Sequence, residues 1–319
     1  MINAQLLLDR KFPPLRQSYT EKDAILYALA LEYGENPLDP TQIQYAYEKQ
    51  LRVVPSMVAV MCSPGFWLAD PIFGAKTEMV VHAEHAIEFH KPLAPSGHLR
   101  GEMSVVDVID RGLDKGAMII SKRLIIDEGS DQQIATIVQH TLCRGDGGFS
   151  GVQITPLTGA QPVKVAYDSN PDWSVTLKTL PQAALLYRLF ADLNPLHADP
   201  EVARKAGFQR PILHGLCTYG MVCRALLQAC VGGESSRLHS LAGKFTAPVF
   251  PGDSLCIEVW RGAQIGTRQT LHLRCSVPAR QSFVSKSNSG TVQPTSSVSY
   301  EMPMNLDCSV ARRAANGTE

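Results

Sequence analysis

The chain has 319 residues, 30 Lys plus Arg against 30 Asp plus Glu, a formal net charge of zero and 45% hydrophobic residues. A balanced charge excludes bulk nucleic-acid binding through a basic face, while leaving room for a local basic pocket around a phosphorylated ligand. The length suits two ordinary domains or one large one. No apolar run reaches the ~18 residues of a membrane span.

Met1-Ile2-Asn3-Ala4-Gln5 lacks the basic start and apolar core of a signal peptide, and Gly317-Thr318-Glu319 is not a peroxisomal address. The expectation is therefore a cytoplasmic protein with no membrane partner. Eight cysteines, with no Cys-x-x-Cys spacing among them, read as reduced and mostly buried thiols rather than zinc ligands or a disulfide framework.

In chain order, residues 18–31 predict a helix, with Thr20 and Asp23 as a capping pair and Ala24, Ile25, Ala28 and Leu29 at helical spacing. Pro55 opens a compact apolar run to Cys62, bounded by Ser63-Pro64-Gly65, whose length fits a buried helix or a strand. Met79–Val81, Leu99–Ile109, Ala117–Ile126 and Ile134–Leu142 read as strands. A Gly-rich break from Arg144 to Gly151 places a domain boundary before Pro162.

The second half repeats the plan. Thr179 and Gln182 predict a cap for a helix carrying Ala183, Leu186 and Leu189 on one face. Asp199-Pro200 predicts an N-cap and first-turn proline, with Gly207 closing that short helix. An apolar run extends from Pro211 to Gly232-Gly233, and strands fit Leu255–Trp260, Thr270–Val277 and Gln281–Val284.

The two halves match on one register. An offset of 156 pairs Phe89, Pro92, Pro95, Leu99, Glu102 and Pro55 with Phe245, Pro248, Pro251, Leu255, Glu258 and Pro211. Six pairs on one offset indicate a duplication. The resulting fold class is α+β, two repeats each made of an antiparallel sheet wrapped around a central helix. The expected domains are 1–155, 156–295 and a flexible tail at 296–319.

The polar chemistry concentrates in Asp192-Leu193-Asn194-Pro195-Leu196-His197. Proline disfavours helix at Asn194, so Asp192 and His197 flank a bend and could orient one water between them as a general acid–base pair. Equally, an Asp near a turn can simply cap it and a lone His can be structural. Gly215 stands near the start of the helix that follows Pro211, where unpaired amides and the helix dipole suit an oxyanion. Alternatively, Gly215 and Gly220 only permit close packing, and His214 reads as packing. Asn36-Pro37-Leu38-Asp39 is a worn copy of the turn, with Asp39 in the place of the His, so the first half is free to become a binding cavity.

These residues resemble the MaoC-like, type 2 (R)-specific enoyl-CoA hydratases, which have a double hot-dog fold. The likeness runs over roughly residues 15–290. It is carried by Tyr187-Arg188-Leu189, Asp192 to His197, Ala206-Gly207-Phe208, Pro211 to Gly220, Val81-His82-Ala83-Glu84, Lys91-Pro92-Leu93 and Lys244 to Gly252. The resemblance implies syn hydration of a trans-2-enoyl-CoA to a (3R)-3-hydroxyacyl-CoA, or the reverse dehydration, on fatty or bulky, steroid-like acyl chains.

By that likeness Asp192 and His197 activate water and protonate C2, Asn194 holds the water, and the Gly215 amide binds the thioester carbonyl. Acyl-CoA contacts fall on His82, Ala83, Leu193, Pro195, Leu196, Gly215 and Phe245, with a basic contact at Arg111 or Lys115. No metal or redox cofactor is implied, CoA entering as part of the substrate, and a homodimer is common in the family. The chain departs from the family at Phe190-Ala191, where Ser-Gly is usual, at His82-Ala83-Glu84-His85 in place of His-Gly-Glu-Gln, and beyond Ser285. A hot-dog thioesterase and a silent acyl-CoA-binding subunit are the alternatives.

Overall fold

The branched, alternating runs of the first half pair as antiparallel strands: β2 (Val80–Phe89), β3 (Gly97–Asp110), β4 (Ala117–Asp127) and β5 (Gln132–Cys143), with β1 (Leu15–Tyr19) on the edge. The second half supplies β6 (Trp173–Lys178), β7 (Leu238–Lys244), β8 (Ser254–Ile265), β9 (Arg268–Ser276) and β10 (Leu306–Ala311). The structure is a computed structural model that describes residues 2–149, 169–230, 232–278 and 306–311.

All ten strands join one sheet in the order β1-β3-β4-β5-β2-β7-β10-β9-β8-β6. Exchanging each first-half strand with its second-half counterpart reverses this order onto itself. That symmetry is the duplication in three dimensions, centred on the β2–β7 seam from Glu84↔Lys244 to Glu88↔Ser240. The molecule is a double hot-dog of the α+β class.

The helices are α1 (Ala4–Asp9), α2 (Glu21–Ala30), α3 (Pro40–Ile43), α4 (Ala183–Phe190), α5 (Pro200–Lys205) and α6 (Gly215–Ala229). The Thr20–Asp23 capping box forms as the sequence predicts. Asp199 caps α5 through the Glu201 and Val202 amides, and Gly207 closes it at φ +87°, the left-handed conformation that costs glycine least.

α6 is buried all round from Cys217 to Leu227 and packs in one core with Leu255, Ile257, Val259, Leu271 and Leu273. A helix apolar on every side belongs inside a protein. Close packing also fixes Gly220, where an added Cβ would sit 2.7 Å from Leu31. That glycine admits the end of α2 rather than the sheet.

Four expectations need correction. The first repeat has no long central helix: Pro55–Ala59 is a single 3-10 turn. The chain then enters a left-handed conformation at Cys62, φ 48°, and presses against β3 at Gly101, where no Cβ would fit. The helix predicted over 18–31 starts later, because β1 takes residues up to Tyr19. Thr179 caps nothing in α4; its hydroxyl donates to the Asp253 carbonyl and accepts from the Gly252 amide, and Leu189 faces solvent. Part of the expected tail is a strand: β10 fills the gap between β7 and β9, where two open edges would otherwise leave backbone groups unpaired. The predicted strand Gln281–Val284 and the 155/156 boundary lie outside the described residues.

The cysteines behave as expected where described: Cys62, Cys143, Cys217, Cys223 and Cys275 are buried and free, and Cys230 and Cys256 are half-buried and free.

Candidate active site

The turn before α5 is built from its own side chains. The Asp192 carboxylate accepts the Asn194 amide at 2.9 Å, and the Asn194 side-chain oxygen accepts the Leu196 amide at 3.0 Å. Pro195–His197 then closes as a 3-10 turn that carries His197 inward, leaving Asp192, Leu193, Asn194 and Pro195 at the surface. The worn copy makes the same turn: the Asn36 side chain accepts the Leu38 amide at 3.0 Å, while Asp39 caps α3 through Thr41. Asparagine is thus kept in both halves as a turn-former; the imidazole is present in one.

His197 is buried, and its Nδ1 lies 2.9 Å from the Ile212 carbonyl. A carbonyl only accepts, so Nδ1 carries the proton and Nε2 keeps a lone pair. Burial lowers the His197 pKa, against the opposing pull of the Ile212 carbonyl and the Asp192 carboxylate. His214, read from the sequence as packing, stacks on His197 at 3.7 Å between ring centroids and donates from Nε2 to the Asp192 carbonyl at 3.1 Å. Burial first, then the neighbouring His197, lowers its pKa to about 4. His214 therefore ties the Asp192 backbone to the His197 ring.

One ligand-type atom from each of Asp192, His197 and His214 lies within 4.8 Å of the others. Among the described residues this trio is also the one set with metal-ligand proximity. A gap of that size accommodates a water hydrogen-bonded to two of the groups at ~2.8 Å each.

The predicted contacts divide into two groups. α6 begins at Gly215, directly after His214, and Gly215 is exposed, with its amide beyond intrahelical reach. A Cβ on Gly215 would meet the Phe245 ring at 3.3 Å. Phe245 packs edge-on against His82 at 5.0 Å, and its amide donates to the Ala83 carbonyl at 2.8 Å. His82, Ala83, Gly215 and Phe245 therefore surround one point at the seam.

Burial takes the His82 pKa down to about 4, partly offset by Asp192. Its Nε2 meets His85 Nδ1 at 3.2 Å, and burial pushes the His85 pKa well below the ordinary imidazole value. Arg111 and Lys115 stand apart, exposed on the β3–β4 turn. That turn lies at the same end of the sheet as His82 but two strands away, roughly 10 Å at the usual strand spacing.

The Phe190 side chain packs against Tyr27 on α2, with ring centroids 5.6 Å apart. Its bulk is taken up between α2 and α4. Sequence reasoning missed Arg188, whose guanidinium reaches the Leu193 carbonyl at 3.3 Å and so braces the turn from α4. The signal available was its place in the Tyr187-Arg188-Leu189 segment.

Residues 161–281 match the MaoC like domain, and residues 17–145 match the MFE-2 hydratase 2 N-terminal domain, one model on each repeat. The enoyl-CoA hydratase ChsH3 of Mycobacterium tuberculosis is 36% identical over 82% of this chain and 90% of its own length. The chain belongs to the MaoC-like, type 2 enoyl-CoA hydratase family. The peroxisomal multifunctional enzyme type 2 of Mus musculus, another relative, is 32% identical over 92% of this chain and 39% of its own length. The crystal structure of a MaoC-like dehydratase from Phytophthora capsici has the same fold, with a TM-score of 0.77 at 24% identity over 98% of this chain and 100% of that one. This hydratase-family chain has two repeats, and its polar cluster lies in the second. No helix among the described residues is long and apolar enough to cross a membrane.

Proposed function

We infer that this protein hydrates trans-2-enoyl-CoA thioesters to (3R)-3-hydroxyacyl-CoA, and in reverse dehydrates them. The observation that carries the reading is the Asp192 carboxylate and the His197 imidazole within 4.8 Å of each other, beside the open start of α6. Asp192 and the His197 Nε2 lone pair hold and deprotonate one water, whose oxygen adds to C3. A proton returns to C2 from the same pair, so both new bonds form on one face of the double bond, which is syn addition.

Negative charge develops on the thioester carbonyl oxygen and is met by the Gly215 amide at the positive end of α6. Asn194 contributes through the turn and through its side-chain NH2, because its oxygen is already engaged by Leu196. Both proton transfers have a side chain to perform them, so the reading invokes no metal or redox cofactor. His82, Ala83, Leu193, Pro195, Leu196 and Phe245 contact the acyl thioester, and Arg111 or Lys115 the CoA phosphates.

The missing central helix of the first repeat supports an acyl-binding role for that half. A small open cleft of about 40 Å³, lined by Ser63, Ser121, Arg123 and Gln139, lies beside the shortened turn. Free thiols suit a reducing compartment such as the cytosol, and the protein works alone or as a homodimer.

The reading is tested by mixing the protein with a short and a long trans-2-enoyl-CoA. Loss of the conjugated thioester absorbance with a (3R) product is expected; release of free CoA would identify a thioesterase, and binding without turnover a silent subunit. Asp192→Asn and His197→Ala should each lower kcat by at least ~100-fold, the scale of general acid–base contributions. Near-normal turnover in either variant sinks the assignment of that residue.

A further inference from the structure

Strand register lines up the side chains of one face of the first repeat. His82 stands opposite Thr141, His85 opposite Gln139, Gln139 opposite Ser121, and Arg123 between Ile137 and Met103. The register shift at Ala83 keeps His82 and His85 on this same face. In the second repeat the corresponding face, Leu255, Ile257, Val259, Leu271 and Leu273, is fully apolar and covered by α6. In the first repeat the covering helix is cut to one turn, and the face exposed to the resulting cavity carries Ser121, Arg123 and Gln139, with Ser63 on its rim.

Arg123 is the unusual member. It is 7% exposed, its guanidinium donates to the Ala59 carbonyl at 2.6 Å, and its Nε has no acceptor among the described residues. Burial lowers its pKa to about 10. No described carboxylate forms an ion pair with it, although a buried cation is costly unless paired. Packing alone would be served by an aliphatic residue, as at Ile125 two positions along the same face. His82 feels the charges of both Arg123 and Asp192. By register the polar face runs from His82 through His85 and Gln139 to Ser121, with Arg123 beyond.

We propose that Arg123, with Ser121 and Gln139, receives the far end of the acyl chain and that this end carries a carboxylate, making α,ω-dicarboxylic trans-2-enoyl-CoA thioesters the preferred substrates. This rests on the hydratase reading of the site. A carboxylate fills the missing partner of Arg123, and Ser121 and Gln139 supply donors for its remaining lone pairs.

The test compares kcat/KM for a ladder of enoyl-CoA lengths, each made with a methyl end and with a carboxyl end. At the best length the carboxyl-ended substrate should lead by about 10-fold or more, the scale of one charge-assisted contact. Arg123→Leu should remove that lead through KM and leave the methyl-ended rate unchanged or higher, while Arg123→Lys keeps part of it. Ser121→Ala with Gln139→Leu, which spares the Ala59 contact, should reduce the carboxyl-ended rate selectively even if Arg123→Leu fails to fold. A methyl-ended preference at every length, or equal losses on both series in the folded variants, overturns the proposal. Hydration of neither series would overturn the hydratase reading instead.

Discussion

The Ile212 carbonyl decides which nitrogen of His197 can act as a base, since it commits Nδ1 and leaves Nε2 to the site. His214 adds a constraint that spacing could not reveal, stacking on that ring while holding the Asp192 backbone. The role of Gly215 is separable from packing. Gly215→Ala requires the Phe245 ring to give by only a few tenths of an ångström, because the new Cβ would lie 3.3 Å from it. We expect a modest loss of melting temperature but a fall of about 10-fold or more in kcat as the methyl shields the amide, and a larger fall for Gly215→Val. Steady-state kinetics beside thermal melts measure this; normal kcat in a normally folded variant would make Gly215 a packing glycine.

Among the elements, α6 carries both Gly215, the proposed oxyanion donor, and the tie between repeats. Arg224, 1% exposed, reaches across to donate to the Leu31 carbonyl at 2.9 Å and to Glu35 at 2.9 Å, and lies over the Tyr33 ring. It thereby satisfies a carbonyl at the end of α2, where the helix has none of its own donors left. Arg224→Ala removes these contacts and leaves a cavity, so a loss of about 3 kcal/mol is expected by denaturant unfolding. Turnover of the still-folded protein at low temperature should change little, because the contacts of Arg224 fall on Leu31, Tyr33 and Glu35 rather than on Asp192 or His197. The contrast with the first repeat is local: Pro55 starts a turn as Pro211 precedes α6, but Cys62 and Ser63-Pro64-Gly65 end it within a few residues.

Across the whole molecule, the seam gathers four imidazoles that burial keeps neutral: His82, His85, His197 and His214. Their folded pKa values lie below the unfolded value of about 6.5. The unfolded chain therefore binds more protons than the native one as pH falls below that value, and stability present above it is lost towards pH 4. The melting temperature should drop by roughly 5 °C or more between pH 7.5 and 5.5, with little change from pH 7.5 to 8.5. Calorimetry checks this, and a flat profile would mean that the native seam admits protons freely.

The sequence by itself determined the duplication, the capping box at Thr20, the cap and stop of α5, most strand positions and the Asp192–His197 turn. Each of these is written in residues close together in the chain, or in a register that repeats, and local sterics and hydrogen bonds settle it. Only the tertiary structure decided that β2 and β7 join the halves into one sheet, that β10 is threaded between β7 and β9, and that the first repeat's helix stops after one turn. Strand order and long-range pairing depend on which edges remain open once everything else has packed, and no local pattern records that. The same holds for His214, Arg123 and Phe190. Their meaning lies in partners far along the chain, a stacked imidazole, an uncovered sheet face and a tyrosine on the other repeat, and folding alone brings those together.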